Sequence, residues 1–463
     1  MKKLYFFPEG SLLLVLLLLL AARGTAQLTP HWIKRYAGNG GTSADGAAAL
    51  ALNTAGQVHV TGISGGDFVT IRHNDDGSRK WLARYNGPAG GRDEAMAIVV
   101  DGAGNVYVTG SSEGKGTGTD YVTIKYDGAG KQLWAARYNG PANDQDEPAA
   151  LAVDGSGNVY VTGRSTGSTT KLDFATIKYD KNGKQLWVKR YNGPLNGYDR
   201  ANALAVDASG NVYVTGGAKV DSDGSDPYDL TTIKYNTAGV QQWIDQYDDD
   251  GFDIGNALVL DEAGNVYVTG SSGFEDAGNY TTIKYSNRGG RQWLVAYHAD
   301  DYDYANALAV DREGNVYVTG FSQNEADFTS AYSTVKYNAS GVQQWAKQYS
   351  REPGVHRNDA QALALDGSGN VYVTGYSYNT GSENDYATVK YDRNGNQLWV
   401  ERFNGTANEG DAAVALAVDG NGNVFVTGAS TGAGTASDYL TIKYPPFPNK
   451  AAAPCTDKIL ALQ

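Results

Sequence analysis

Residues Asp101–Tyr138, DGAGNVYVTGSSEGKGTGTDYVTIKYDGAGKQLWAARY, contain three runs that are typical of β-strands, two tight turns and one Trp. Val, Thr, Tyr and Trp dominate the runs, and these residues favour strands, whereas Gly marks the turns. The same pattern recurs until the chain ends, so this stretch indicates the fold of nearly all 463 residues.

Four segment types alternate along the chain, represented here by Asp93–Asp101, Gly104–Gly110, Asp120–Tyr126 and Trp134–Tyr138. The second type, GNVYVTG, closes at eight glycines: Gly62, Gly110, Gly163, Gly216, Gly270, Gly320, Gly375 and Gly428. The third ends at His73, Tyr126, Tyr179, Tyr235, Tyr285, Tyr337, Tyr391 and Tyr444. The fourth contains every Trp of the chain: Trp32, Trp81, Trp134, Trp187, Trp243, Trp293, Trp345 and Trp399. A repeat of about 50 residues with four strands is typical of a β-propeller. The sequence therefore predicts an all-β fold, an eight-bladed β-propeller of four-stranded antiparallel blades.

The two ends of the repeat array predict how the ring closes. The last third-type segment is followed by Pro445 and Pro446 and has no Trp strand after it, whereas an unpaired Trp strand, His31–Tyr36, precedes the first repeat. We expect this N-terminal strand to complete the last blade, because closure removes a sheet edge that would otherwise promote aggregation. The predicted propeller covers residues 31–444.

The spacing of the segments separates two faces of the propeller. The connection between the first two segments and that between the last two have the same length in every repeat, and both contain Gly. The connection from second to third segment varies from 11 to 19 residues, and that from each Trp to the next first-segment Ala from 14 to 17. Since antiparallel strands alternate in direction, the fixed turns share one face and the variable loops the other. Loops on a rigid scaffold often carry binding residues, so the variable-loop face is the predicted functional face.

The N-terminus has the features of a secretory signal peptide over residues 1–26. Lys2 and Lys3 precede the apolar run Leu12–Leu20, and the small residues Gly24–Ala26 suit cleavage before Gln27. The run is shorter than the ~20 apolar residues of a membrane span. We therefore expect an exported protein, secreted, periplasmic or associated with the cell surface, and interpret residues 445–463 as a Pro/Ala-rich tail.

Net charge and cysteine content limit which partners suit the protein and how its fold can be stabilised. The formal net charge is −13, and residues 1–26 contribute three basic residues and one acidic residue to it. An acidic protein is poorly suited to nucleic acid or to an anionic membrane surface. The one cysteine, Cys455, lies in the tail, so no disulfide within the chain can stabilise the fold.

A recurring acidic position opens the first segments and forms the predicted Asp ring around the channel mouth. Its members are Asp45, Asp93, Asp146, Asp199, Asp253, Asp303, Asn358 and Asp411. Because the position recurs in every blade, we expect first a structural role, in which the side chain bonds backbone groups where the loop meets the strand. A ligand-facing role at the rim is the second hypothesis.

Two acidic loops of adjacent repeats form the candidate metal site on the variable-loop face. They contain Asp248, Asp249 and Asp250, and Asp300 and Asp301. Neighbouring carboxylates are suitable ligands for Ca²⁺ or for a cationic partner, and the alternative is a solvated acidic rim. No other cofactor is expected, since the five His are scattered and no zinc motif is present.

The repeated motif GNVYVTG…DYxTIKYDxxGxxxW resembles the bacterial SBBP-type β-propeller repeat over about residues 31–444. The resemblance implies an exported or surface-associated protein that acts as an extracellular binding or adhesion module. The family's name implies seven blades, whereas this chain counts eight. No family active site exists whose residues could be matched here.

These observations favour a non-catalytic binding or scaffold module that engages a protein or glycan partner through the acidic variable-loop face. The alternative is an enzyme, a lyase or hydrolase, that uses carboxylates of the Asp ring at the channel mouth. An enzyme should break the repeat symmetry with a few unusual polar residues at the mouth, and within the Asp ring Asn358 is the one departure.

Overall fold

The apolar runs that open the repeats form the innermost strands of an eight-bladed β-propeller in a computed structural model of the chain. The structure describes residues 29–38, 43–219, 228–249, 251–273, 278–350 and 357–446. Each blade is a four-stranded antiparallel sheet, and these residues contain no helix. The predicted fold class and blade number are confirmed.

The strands are numbered β1–β32 in chain order. The inner strands are β2 (Asp45–Leu52), β6 (Asp93–Val100), β10 (Asp146–Val153), β14 (Arg200–Val206), β18 (Ile254–Leu260), β22 (Tyr302–Val310), β26 (Asn358–Leu365) and β30 (Asp411–Val418). The second strands are β3 (Val58–Ser64), β7 (Val106–Glu113), β11 (Val159–Thr166), β15 (Val212–Ala218), β19 (Val266–Ser272), β23 (Val316–Gln323), β27 (Val371–Asn379) and β31 (Val424–Thr431). The third strands are β4 (Asp67–His73), β8 (Thr119–Tyr126), β12 (Leu172–Tyr179), β16 (Asp229–Tyr235), β20 (Asn279–Tyr285), β24 (Ser330–Tyr337), β28 (Glu383–Tyr391) and β32 (Ser437–Tyr444). The outer strands are β1 (Trp32–Tyr36), β5 (Arg79–Tyr85), β9 (Gln132–Tyr138), β13 (Gln185–Tyr191), β17 (Gln241–Tyr247), β21 (Arg291–Tyr297), β25 (Gln343–Tyr349) and β29 (Gln397–Phe403).

Blades 1 to 7 are the consecutive groups of four strands that begin with β2, and blade 8 combines β30, β31, β32 and β1. In blade 8, Trp32 lies opposite Lys443 and Tyr36 opposite Tyr439. Inner strands of consecutive blades contact each other around the whole ring, including β30 against β2. The N-terminal strand therefore completes the last blade, as the ends of the repeat array predict.

Aromatic side chains of the outer strands link each blade to the next. The Trp187 ring lies 6.2 Å from Tyr160 of its own blade and 6.5 Å from Tyr235 of the following blade, centroid to centroid. The indole N–H donates to the carbonyl of Thr237 at 3.2 Å, and Lys178 Nζ donates to the same oxygen at 3.1 Å. Seven Trp–carbonyl bonds of this kind, at 3.0–3.3 Å, join Trp32 to Asp75, Trp81 to Gly128, Trp134 to Lys181, Trp187 to Thr237, Trp243 to Asn287, Trp293 to Ala339 and Trp345 to Arg393.

Trp399, at the boundary between blades 7 and 8, is the exception. Its ring packs against Tyr372 and Tyr444 and is 2 % exposed, but its Nε1 has no hydrogen-bond partner in the described part of the chain. Elsewhere the acceptor carbonyl belongs to a turn capped by a side-chain oxygen, such as Asp180 Oδ1, which accepts two backbone N–H groups at 2.8–2.9 Å. Pro445 occupies that capping position in blade 8 and has no side-chain oxygen.

The glycine that closes each GNVYVTG segment permits a bulge in the neighbouring inner strand. A Cβ atom on Gly163 would lie 2.1 Å from the carbonyl oxygen of Glu147, and the pairing register shifts between Pro148 and Ala150 at this level. All eight closing glycines face an inner-strand carbonyl oxygen at 1.7–2.1 Å from the same hypothetical atom. Because that neighbour is backbone, it cannot rotate away, so each blade requires Gly at this position.

The strand directions place the fixed turns on one face and the variable loops on the other, as predicted. Asp154 is typical of the first fixed turn, since its Oδ1 accepts the N–H groups of Ser156 and Asn158, both at 2.9 Å. Its Oδ2 accepts the Tyr160 hydroxyl at 2.9 Å. These turns are held by Asp capping, which explains why their length is constant.

The predicted signal peptide, residues 1–26, and all of the predicted tail beyond Pro446 lie outside the described residues. Within the described ranges, no helix has the length and apolar character to cross a bilayer.

Replacing Gly163 by Ala should lower the free energy of unfolding by about 1–3 kcal/mol or more, because the new methyl group overpacks the bulge. Gly155, in the adjacent fixed turn, has no atom within 4 Å of its hypothetical Cβ. Gly155→Ala is therefore the matched control and should change stability by less than about 0.5 kcal/mol. Urea denaturation measures both. Equal stabilities for the two variants would show that the bulge does not require Gly.

Candidate binding site on the variable-loop face

The Asp ring lies inside the protein wall, and its side chains bind backbone N–H groups. All eight side chains are 0–2 % exposed. Asp93 Oδ2 accepts the N–H of Gly87 at 2.5 Å, and Asp199 accepts those of Gly193 at 2.6 Å and Lys219 at 2.8 Å. The corresponding acceptors for the loop that precedes the inner strand are Asp45, Asp146, Asp253, Asp303 and Asp411. This geometry agrees with the structural role, and a ligand-facing role stays a prediction.

Asn358 fills the ring position in blade 7 through different partners. Its Nδ2 donates to the carbonyl of Ser330 at 2.6 Å, and its Oδ1 accepts the Ser377 hydroxyl at 2.6 Å. The departure at this position is therefore an alternative way to anchor the same strand end.

Burial sets the protonation of two ring members. The pKa of Asp253 is raised to about 7, first by burial and then by the nearby carboxylates of Asp249 and Asp248, although backbone N–H groups act to lower it. Burial likewise raises the pKa of Asp199 to about 6. These shifts follow from the enclosure of the carboxyl groups, which disfavours their charged form.

The acidic loops bind backbone and amide groups of their surroundings. Asp300 Oδ1 accepts the Asn324 side chain at 3.3 Å, and Asp301 Oδ2 accepts the N–H of Glu325 at 3.0 Å. Asp249 donates its own N–H to Asp253, and Asp250 lies outside the described residues. Among the residues described, no group of three or more His, Cys, Asp or Glu side chains is arranged to hold a metal ion. A Ca²⁺ site at Asp248, Asp249, Asp250, Asp300 and Asp301 stays a prediction.

The symmetry of the ring breaks at the residue that follows each Asp-ring position. This residue lies directly opposite the one that follows the closing Gly, and the two form what we call the variable pair of the blade. In blades 1 to 8 the pairs are Gly46–Ile63, Glu94–Ser111, Glu147–Arg164, Arg200–Gly217, Ile254–Ser271, Tyr304–Phe321, Asp359–Tyr376 and Ala412–Ala429. Because the pairs differ from blade to blade, one sector of the ring can carry a binding surface that the other sectors lack.

Blade 6 carries an aromatic variable pair. Tyr304 and Phe321 have ring centroids 5.8 Å apart and planes 20° apart, and Tyr302 lies 6.3 Å from Tyr304 at 21°. All three rings are partly exposed. Tyr302 and Tyr304 are two residues apart on β22 and therefore point to the same side. Phe321 lies 6.0 Å from Tyr302 at 39°, so the three rings form one cluster.

Blade 7 places a carboxylate beside these rings. Asp359 Oδ2 accepts the Tyr376 hydroxyl at 3.2 Å, and Oδ1 accepts Asn306 Nδ2 at 2.8 Å. Burial raises the pKa of Asp359 to about 7, although these donors and Gln361 act to lower it. Burial and the Asp359 charge raise the pKa of Tyr376 to about 12. Near neutral pH, Asp359 can therefore gain or lose a proton.

Two clefts adjoin these groups, and together we call them the aromatic groove. One, of about 420 Å³, lies between blades 6 and 7 and is lined by Phe321, Gln323, Phe328, Ser330, Arg357, Asn358, Asp359 and Tyr376. The other, of about 400 Å³, lies between blades 5 and 6 and is lined by Phe252, Ser271, Gly273, Gly278, Tyr302, Gln323 and Glu325. Gln323 lines both. Concave sites of about 300–1,000 Å³ with apolar walls and a few polar groups are typical of ligand binding.

A row of three Asn side chains joins the inner strands of blades 4 to 7 beside the groove. Asn202 Nδ2 donates to the carbonyl of Gly255 at 3.0 Å, and Asn256 Nδ2 to that of Ala305 at 2.9 Å. Asn306 continues the row to blade 7, since its Nδ2 bonds both Asp359 and the carbonyl of Ala360. These bonds cross from blade to blade and fix the strand ends that carry the variable pairs of blades 5, 6 and 7.

Three segments of the chain match a known family of protein repeats. The SBBP family, described as a β-propeller repeat, matches residues 134–168, 293–328 and 344–381. The chain carries SBBP β-propeller repeats. Each matched SBBP segment starts at or next to an outer-strand Trp and runs into the first strands of the following blade. The second and third matches include the variable pairs of blades 6 and 7.

Two curated proteins are similar in sequence to part of this chain, and one solved structure is similar to its fold. The regulatory protein FlaEY of Caulobacter vibrioides is 34% identical over 122 residues, which are 23% of this chain and 12% of that protein. The uncharacterized WD repeat-containing protein L264 of Acanthamoeba polyphaga mimivirus is 24% identical over 238 residues, 41% of this chain and 17% of that protein. The solved structure of Sqt1 from Chaetomium thermophilum aligns with a TM-score of 0.56 at 11% identity, covering 90% of this chain and 99% of that chain. The SBBP-repeat chain thus spans a small part of the curated relatives, and the structural likeness shows the fold alone.

Sequence analysis of the SBBP repeats did not identify the variable pair. The signal was present, because the residue after each ring position and the residue after each closing Gly change from repeat to repeat while their neighbours stay constant. The sequence does not show the pairing register, and it is this register that sets the two residues opposite each other across the bulge. The aromatic groove is therefore a finding of the structure.

Replacing Asp359 by Asn should change how stability depends on pH. The folded-state pKa of about 7 is above the usual value of 3.8, so the wild-type protein binds a proton on folding and loses stability as pH rises from about 4 to 7. The variant lacks this loss, so its stability relative to wild type should rise by about 1–2 kcal/mol over that range and stay constant above pH 8. Thermal unfolding from pH 4 to pH 9 measures the difference. A difference that does not vary with pH would contradict the assignment.

Proposed function

We propose that this protein is an exported, non-catalytic binding module that engages a protein or glycan partner through its variable-loop face. The observation that carries the proposal is the variable pair, which is different in each blade and forms a concave aromatic and acidic surface at blades 6 and 7. A uniform ring of blades with one distinctive sector is suited to hold one partner in one orientation.

The chemistry of the sector supports binding more than catalysis. The carboxylates of the Asp ring are buried and bonded to backbone N–H groups, so they serve the scaffold. Asp359, the acid that lines the groove, already accepts hydrogen bonds from Asn306 and Tyr376. The negative net charge supports a partner other than nucleic acid.

Export is part of the proposal and rests on the sequence of residues 1–26. Basic residues, an apolar run and small residues follow one another there as they do in secretory signals. The partner is then a molecule of the cell surface or of the extracellular medium.

A channel-mouth enzyme, a lyase or hydrolase, is the second candidate. One observation favours it: the pKa of Asp359 is raised to about 7, which suits a general acid or base near neutral pH. Such a reaction would use Asp359 rather than the buried carboxylates of the Asp ring.

The test compares capture of partners by wild type and two double variants. Immobilised full-length protein is exposed separately to surface proteins and to extracellular polysaccharide of the source cells. Tyr304→Ala/Phe321→Ala should reduce capture at least tenfold, because the stacked rings are lost. Glu147→Ala/Arg164→Ala removes the variable pair of blade 3, a partly exposed ion pair, and should leave capture unchanged.

Equal capture by wild type and both variants would contradict the proposed site. The enzyme alternative has its own readout, which is the size of captured polysaccharide after incubation. Shortening by wild type and not by Asp359→Asn would favour the enzyme over the binding module.

A further inference from the structure

We propose that the aromatic groove binds an uncharged oligosaccharide, whose sugar rings pack on the Tyr302, Tyr304 and Phe321 cluster while their hydroxyls bond Gln323, Arg357 and Asp359. The inference rests on the proposed function and narrows its partner to one chemical class.

The shape of the groove favours a chain of small units over a folded protein surface. Two clefts of about 420 and 400 Å³ lie on either side of blade 6 and share Gln323 as a common wall. A protein–protein interface of standard size buries about 800 Å² on each partner and is mostly flat. Two neighbouring clefts suit consecutive units of an extended ligand.

The rings supply the apolar contact that a sugar requires. A pyranose presents C–H groups on its faces and hydroxyl groups around its edge, so its faces pack on aromatic rings. Tyr304 and Phe321 lie within 20° of parallel, and Tyr302 packs against both, at 21° to Tyr304 and 39° to Phe321. Phe328, on the loop beyond, is 63 % exposed beside the same cleft. Rigid aromatic side chains provide this contact area at little cost in conformational entropy.

Polar groups of complementary types lie beside the rings. Gln323 offers an amide that can donate and accept, and Arg357 offers a guanidinium that donates. Asp359 accepts hydrogen bonds from Tyr376, Asn306 and Gln361, and because a carboxylate offers about four lone pairs, it can accept one more from a sugar hydroxyl. Donors and acceptors within one cleft match the hydroxyl groups of a sugar, which do both.

The backbone around this cleft is held in an uncommon conformation. Phe328 and Arg357 have φ angles of 56° and 72°, in the left-handed region that bulky residues rarely adopt. Both residues line the cleft between blades 6 and 7. Strain of this kind persists where the surroundings hold it and concentrates at ligand-binding sites.

Charge favours an uncharged ligand over an anionic one. Glu325 lines the cleft between blades 5 and 6, and it is bonded through its N–H to Asp301 of the acidic loop. Asp300 lies beside it, bonded to Asn324. With a net charge of −13 on the chain, polyuronates or sulfated chains would be repelled from this rim.

The experiment is calorimetric titration of the full chain with three neutral hexasaccharides, of the cello, xylo and manno series, and with hexagalacturonate. At least one neutral hexasaccharide should bind, and hexagalacturonate should bind at least tenfold more weakly. Tyr304→Ala/Phe321→Ala should weaken neutral binding at least tenfold, and Gln323→Ala, at the wall shared by both clefts, should weaken it as well. Glu147→Ala/Arg164→Ala is the control and should bind like wild type. Thermal unfolding of every variant shows that it is folded.

The inference is overturned if no neutral hexasaccharide binds, if hexagalacturonate binds best, or if the groove variants bind like wild type. Its failure differs from that of the proposed function. Capture of a surface protein that depends on Tyr304 and Phe321, with no oligosaccharide bound, would end the glycan assignment and leave the binding module in place.

Discussion

The pairing of β1 with β32 is the constraint on which the rest of the propeller depends. Each blade buries its aromatic residues against the next, so an open array would leave one inter-blade surface bare at each end. Trp32 shows this directly, because it belongs to the N-terminal strand and packs against Phe425 of blade 8 and His73 of blade 1. Closure therefore joins the chain ends and also completes the contact between blades 8 and 1. The strand ends that carry the variable loops keep their positions around the mouth because the ring is closed.

Closure has a local consequence at the boundary between blades 7 and 8. In the described part of the chain, β32 is followed by Pro445 and Pro446, and no hydrogen-bond acceptor faces Trp399 Nε1 there. Lys390 also differs from its counterparts: its nearest charged partner is Asp366 within its own blade, at 4.0 Å, whereas Lys178 bonds the Thr237 carbonyl of the following blade. At this boundary Trp399 contributes ring packing. At each of the other seven boundaries the Trp contributes ring packing and also a hydrogen bond. The aromatic groove lies across blades 5 to 7, and the two boundaries between these blades have that bond, from Trp293 and from Trp345.

Features that repeat eight times could be predicted from the sequence, and features that occur once could not. The Trp strand, the closing Gly and the Asp ring recur at constant spacing, so the blade count, the closure and the two faces follow from the chain itself. Tyr304 and Phe321 are 17 residues apart and lie opposite each other only because the strand bulges between Ala305 and Ala307. Spacing alone does not show which strand absorbs the extra residue, so the facing pairs stayed hidden. The Asp ring was placed at the right strand end, but its burial depends on loop N–H groups such as that of Gly87, which no pattern reveals.

Disulfide trapping tests the closure most directly. Lys34 and Thr441 are directly paired across β1 and β32, at a separation that antiparallel pairs share with disulfides. In a Cys455→Ser background, Lys34→Cys/Thr441→Cys should form an intramolecular disulfide on mild oxidation, seen as faster migration in a non-reducing gel. Lys34→Cys/Thr388→Cys is the control, because Thr388 holds the same position in blade 7 and pairs with Glu401. Cross-linking of the first pair alone is the predicted result; no intramolecular cross-link, or equal cross-linking of both pairs, would contradict the closed ring.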